Sequence, residues 1–139
     1  MHTVHKFSLI KYSDLNARQK ENYNYQKVAA FLADYGFVSM RLSDDWQGAD
    51  FISQHINGKT LLRVQLKGRM CIDKKYIGKD LYICFCEKDS WYLVHHDEFH
   101  DWAKTNTSIF STHSWKVNGN YSVPYLPIKI KNFVAQYKI

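Results

Sequence analysis

At 139 residues, 45% of them hydrophobic and 23% charged, the chain is long enough to bury a core and too apolar to remain disordered. Nineteen Lys and Arg against thirteen acids leave a formal charge of +6, which suits a polyanionic partner such as nucleic acid. No apolar run approaches the ~20 residues of a membrane span, and no apolar h-region opens the chain, so neither a membrane anchor nor a secretory leader is expected.

Residues 1–13 are weakly patterned, with Phe7, Leu9 and Ile10 as apolar anchors of an arm or an edge strand. Asp14 or Asn16 is the N-cap of a helix that runs to about Tyr35 and stops at Gly36. At 100° per residue, Glu21, Tyr25, Val28, Leu32 and Tyr35 share one stripe about 80° wide. That stripe packs on a sheet and carries Glu21 at its N-terminal end. Phe37 to Leu42 reads as a strand, and Ser43 to Gly48 as a loop in which Asp44 and Asp45 are turn residues, with contact to a site on the following hairpin as the alternative.

The next segment, Gly48 to Lys67, predicts a hairpin around Asn57-Gly58, the dipeptide best suited to a two-residue turn with positive φ. Its second strand alternates: Leu62, Val64 and Leu66 point one way, Arg63, Gln65 and Lys67 the other. Asp50 on the partner strand approaches that polar file. A carboxylate, an amide oxygen and an ammonium can together hold a divalent metal and orient a water.

After Lys67 comes a basic, irregular stretch, 68–79, with Arg69, Lys74, Lys75, Tyr76 and Lys79. Leu81 to Cys86 and Trp91 to His95 are strands joined by the turn 87–90, and a helix over 97–104 buries Phe99 and Trp102. Residues 105–123 read as a long polar loop or ragged hairpin. The last segment alternates like a strand at Ile128-Lys-Ile-Lys, yet Pro127 and the spacing of Ile130, Phe133, Val134 and Tyr137 favour a helix. Helix, strand, hairpin, two strands and helix make a mixed α/β layer arrangement, with residues 1–139 as a single domain.

Cys71, Cys84 and Cys86 are odd in number and lack a CxxC pair, which points to a reducing cytoplasm. His95, His96 and His100 have no HExxH or Cys pair beside them and read as surface residues near a helix start. The Tyr and Trp excess is mostly core, with a minority available to stack on bases.

Asp50, fourteen intervening residues, then Gln65-Leu66-Lys67 on a strand, preceded by a helix bearing Glu21, resembles the PD-(D/E)xK nuclease superfamily. It is most similar to the QxK variant of some intron-homing and transposon-associated endonucleases, in which glutamine replaces the second acid. Two features depart from the pattern. Ala49 stands where proline precedes the first acid, and residues 68–79 lack the helix that follows the lysine strand.

The resemblance implies a restriction-endonuclease-like core, a helix followed by a central β-meander with flanking helices. It also implies a metal-dependent endonuclease acting on nucleic acid, DNA above RNA. Its site residues are Glu21, Asp50, Gln65 and Lys67. Asp50, Gln65 and the Leu66 main-chain carbonyl would bind Mg²⁺ or Mn²⁺, and Lys67 would serve the attacking water and the phosphate. Arg63, Arg69, Lys74, Lys75 and Lys79 are the expected phosphate contacts. Cutting both strands would take two copies, hence a homodimer. The alternative is a non-catalytic nucleic-acid-binding or protein-interaction module on the same fold.

Overall fold

A computed structural model describes residues 6–139, so that part of the predicted N-terminal arm, residues 1–5, lies outside the described residues. From 6 to 11 the chain is irregular, and Phe7, Leu9 and Ile10 are exposed rather than anchored in a core. A 3₁₀ turn at Tyr12–Asp14 then leads to helix α1, Ala17–Asp34. Asn16, not Asp14, is its cap: the Asn16 side chain accepts from the Gln19 N–H at 2.9 Å, and Gln19 Oε1 accepts from the Asn16 N–H at 2.9 Å. The reciprocal pair satisfies two of the helix's orphan donors. On the predicted stripe Val28 and Leu32 are fully buried, each stabilising the fold by roughly 1.5–3 kcal/mol. Tyr25 is half-buried, and Tyr35 at the helix end stands in solvent.

Five strands form the main sheet in the order β1-β2-β3-β5-β6: β1 Phe37–Trp46, β2 Ala49–His55, β3 Leu61–Lys67, β5 Leu81–Glu87 and β6 Ser90–His95. The first three pair antiparallel, β3 and β5 parallel, and β5 and β6 antiparallel. Helix α1 covers one face over Phe51, Leu62, Val64, Cys84 and Trp91, with Cys86 packed beside them. The other face buries Ala49, Leu81, Ile83, Phe85 and Val94 under β4 (Met70–Asp73), α2 (His96–Asn106) and α3 (Ile128–Val134).

Four segments differ from expectation. The predicted loop 43–48 is mostly strand: β1 continues to Trp46, and only Gln47 and Gly48, at φ 55° and 87°, turn the chain into β2. The Asn57-Gly58 turn is wider than two residues, with the His55 N–H donating to Thr60 O at 2.9 Å and Asn57 Oδ1 accepting from the N–H groups of Lys59 and Thr60. Its pairing, Gln54 with Leu61, still keeps the register that a turn centred on 57–58 sets.

The stretch 68–79 is ordered rather than irregular. Strand β4 (Met70–Asp73) and a 3₁₀ turn at Lys74–Tyr76 bury Met70, Cys71, Ile72 and Tyr76. Its partner is β7 (Asn120–Val123), so the predicted polar loop also carries a strand, together with helical turns at Ile109–Ser111 and Ser114–Asn118. Pairing of β4 with β7 satisfies backbone groups that a basic loop would leave to water. In α2, Phe99 is buried but Trp102 is only partly covered.

The histidines correct the surface reading. His96 is fully buried: Nε2 accepts from the Asp73 N–H at 3.1 Å, and Nδ1 meets Asp97 Oδ1 at 3.1 Å. An accepting Nε2 places the proton on Nδ1, the neutral tautomer that burial favours, and burial pushes the His96 pKa down. Burial alone would raise Asp97, but hydrogen bonds from His96 and from the Gly78 N–H outweigh it and hold its carboxyl low. This network ties β4 to the start of α2.

Candidate active site

A cleft opens where β2 loses both neighbours at Asp50. On one side the β1 register jumps between Arg41↔Phe51 and Trp46↔Ala49, so residues 42–45 bulge opposite Asp50 alone. On the other, the β2–β3 ladder stops at Phe51↔Val64. The Asp50 carboxylate takes the place of the missing main-chain pairing: Oδ2 accepts from the Leu66 N–H at 2.8 Å. Gly48 makes the approach to this point possible. At φ 87°, a Cβ there would sit 3.1 Å from Tyr76 and 3.3 Å from Leu81.

Glu21, Asp50, Gln65, Leu66 and Lys67 line this one cleft of about 430 Å³, with Tyr25 at its α1 wall and Arg41, Asp44 and Asp45 on the β1 side. The structure therefore brings together the carboxylate, amide, main-chain carbonyl and ammonium named from sequence. Burial pushes the Asp50 pKa up; the Leu66 N–H and the Lys67 charge oppose that, while Asp45 and Glu21 add to it. Glu21 stands at the rim, 70% exposed, 3.9 Å from the Arg41 guanidinium. Arg41 also donates to the Asn22 side chain and lies 5.5 Å from the Tyr25 ring centre. The Lys67 ammonium lies 5.7 Å from the ring centre of Tyr76, whose hydroxyl burial pushes up to about 12.

Four carboxylates and two cations face the cleft. In a basic protein this is an acidic recess, which attracts a cation before it accepts a phosphate. The donor set fits a hard divalent ion. Asp50 Oδ1 has no hydrogen bond among the described residues, and the Gln65 Nε2–Leu66 O contact, 3.5 Å, is at the outer limit and holds the amide weakly. Half a turn of that amide sets its oxygen beside the same carbonyl, and carboxylate, amide and carbonyl oxygens are what Mg²⁺ and Mn²⁺ take. No group of three or more His, Cys, Asp or Glu converges among the described residues, so a cation here depends on the neutral oxygens.

The expected phosphate contacts divide. Arg69 lines a second cavity, about 400 Å³, with Lys67, Gly68, Cys71, Ser122 and Pro124, and its Nε donates to Ser122 Oγ at 2.8 Å. Lys75 lies 5.1 Å from the ring centre of Tyr76, a ring it shares with Lys67, and is 3.9 Å from Asp73. Lys74 stacks over Trp115, and Lys79 is half-buried. Arg63 does not line the cleft; it is paired with Asp80 at 3.3 Å and lies over the Trp46 ring. Sequence reasoning missed Arg41, and it read Asp44 and Asp45 first as turn residues, with contact to the site only as the alternative. The signal was the Gln47-Gly48 turn, weaker than an Asn-Gly or Asp-Gly pair.

Seven chains of solved structures match this one. A bacterial homing endonuclease, I-Ssp6803I, superimposes with a TM-score of 0.51 at 13% identity, covering 88% of this chain and 86% of the other. The fold is restriction-endonuclease-like. A Holliday junction resolvase, Hjc, from Archaeoglobus fulgidus matches with a TM-score of 0.45 at 13% identity over 56% of this chain and 74% of its own. Neither a protein-family model nor a curated protein matches the sequence. No helix among the described residues is long and apolar enough to cross a membrane.

Proposed function

We propose that the protein is a divalent-metal-dependent endonuclease acting on DNA, of the QxK type. The observation that carries this reading is the splay at Asp50, which gathers one half-buried carboxylate, the Gln65 amide, the Leu66 carbonyl and the Lys67 ammonium at a single cleft. The similarity in fold to a homing endonuclease supports it.

Asp50, Gln65 and the Leu66 carbonyl would hold Mg²⁺ or Mn²⁺, with Glu21 and Asp45 adding negative charge from the rim. The bound ion supplies Lewis acidity toward a phosphoryl oxygen and a lowered pKa for a water. The Leu66 N–H fixes the Asp50 carboxylate, so one oxygen stays aimed without reorganisation. Lys67 reaches the same recess and donates hydrogen bonds to the attacking water and to the phosphate oxygens as charge builds on them. Tyr76 beneath its ammonium restrains that long side chain. Two copies acting on opposite strands would make a double-strand cut.

The second reading, a module that holds nucleic acid without cutting, is favoured by Gln65 standing where a second carboxylate would complete the charge. Incubation of linear, nicked and branched DNA with Mg²⁺ or Mn²⁺ separates the two. Metal-dependent scission that Lys67→Ala abolishes is the expected result. Salt-sensitive binding with no scission of any substrate would assign the module.

A further inference from the structure

Helix α1 presents a second stripe, about 100° from the one that packs on the sheet. Lys20, Tyr23, Asn24, Lys27 and Phe31 fall on it. Here the aromatic residues are exposed: Tyr23 38% and Phe31 37%, with Tyr12 at 43% beside them. They wall a groove of about 370 Å³ with Trp91 and Cys86 behind, and Asn24, Lys27 and Asp89 as its polar groups. Asn24 and Gly68 line both this groove and the catalytic cleft, so the two are continuous.

The groove is built for a flat, hydrogen-bonding ring on a charged backbone. Tyr12 and Tyr23 pack edge to face, 5.4 Å between centres, and Asn24 Nδ2 donates to the Tyr12 hydroxyl at 3.0 Å, which fixes the wall. Lys20 and Lys27 each sit 5.3 Å from one of those rings, cations placed where a phosphate linked to the ring would lie. Gly68 has no atom within 4 Å of where a Cβ would be, leaving the junction between groove and cleft open. On the far side of Gly68, Lys67 and Arg69 line the second cavity.

We infer that this groove receives an unpaired nucleobase next to the scissile phosphate, stacked on Tyr23 and Phe31, so that the preferred substrate is DNA with an unpaired or extruded nucleotide at the cut. The inference rests on the cleft's being a phosphodiester site. Stacking on an aromatic side chain tolerates any base, whereas a base held in a duplex cannot reach a groove beside the backbone cleft without leaving its stack.

The test is binding in EDTA, so that cleavage plays no part. Duplexes carrying 2-aminopurine, either fully paired or unpaired at one position, are titrated with the full chain and with Tyr23→Leu/Phe31→Leu, which keeps apolar side chains on an exposed helix face. Thermal melts check that the variant is folded. The expected result is quenching of the unpaired 2-aminopurine, binding about tenfold or more tighter than the paired duplex, and loss of that preference in the variant. Equal affinity for paired and unpaired duplexes, or a preference that survives in the variant, would overturn the inference. So would a change in oligomeric state of the variant with DNA binding intact, which would mark the groove as a contact between copies. A preference for unpaired DNA without metal-dependent scission would instead fault the nuclease reading alone.

Discussion

Replacing Asp50 tests the site and the fold at once. The carboxylate is half-buried, its pKa is raised by that burial, and one oxygen holds the Leu66 N–H at 2.8 Å. Asp50→Ala removes the acceptor and orphans that N–H, a loss of about 1–3 kcal/mol. Asp50→Asn keeps an acceptor and removes the buried charge. The folded protein binds the Asp50 proton more tightly than the unfolded chain does, so this carboxyl contributes stability below its unfolded pKa that is lost as pH rises through its folded value. Asp50→Asn is therefore expected to melt at or above the native protein near neutral pH, with the gap closing in acid. Asp50→Ala should melt roughly 3–15 °C below Asp50→Asn, taking ~3–5 °C per kcal/mol for a chain of this length. Added Mn²⁺ should stabilise only the native protein, by about 2.7 kcal/mol at a hundred times its Kd. Calorimetric melts from just below the unfolded carboxylate value of 3.8 up to about pH 8, with and without Mn²⁺, read all three. Equal loss in the two variants would refute the role of the Leu66 contact, and Mn²⁺ stabilising all three proteins would refute Asp50 as a ligand.

Other substitutions separate neighbouring claims. Gln65→Glu should tighten Mn²⁺ binding on the order of tenfold by adding a charged oxygen, whereas Glu21→Gln, at an exposed carboxylate already beside Arg41, should weaken it by about fivefold at most; titration calorimetry on both gives the answer, and no change in either removes these residues from a metal site. Neutralising Lys74 and Lys75 together should lower the salt slope of DNA binding by about 1 per lysine if both meet phosphate, and an unchanged slope would confine them to their contacts with Trp115, Tyr76 and Asp73. His96 is held neutral by burial, so its contribution is full above the unfolded value of 6.5 and is lost as pH falls below it. Urea titrations from pH 7.5 to 5 should show that loss in the native protein and a smaller pH dependence, on a lower baseline, in His96→Gln.

The parts of this molecule legible in its sequence are those fixed by short-range rules. Capping chemistry and a 3.6-residue period located α1, and strict alternation put Leu62 and Val64 under the helix while Gln65 and Lys67 took the other file. Asn57-Gly58 set the hairpin register even though the turn itself is wider. Elements whose stability is nonlocal were not legible. Strand β4 is only four residues long and exists through pairing with β7, almost fifty residues later in the chain. Neither segment has a period long enough to show against its polar neighbours. His96 read as a surface residue because its acceptor role depends on the Asp73 N–H, which only the fold brings near.

The bulge in β1 explains why the cleft is where it is. A continuous ladder from β1 to β3 would pair every main-chain group of 49–51 and leave the Asp50 side chain against a flat sheet. Extra residues at 42–45 force β1 away, and the Gly48 turn anchors the returning strand on Tyr76 and Leu81. Ladder bonds are lost at this point, and the Asp50–Leu66 hydrogen bond recovers only one of them. What remains is a set of oxygens that the sheet does not use: the free Asp50 oxygen, the loosely held Gln65 amide and the carboxylates of Asp44 and Asp45. A cation bound among them would relieve both the burial of Asp50 and the crowding of its acidic neighbours. The same local break that weakens the sheet thus creates the demand for the ion that the proposed chemistry uses.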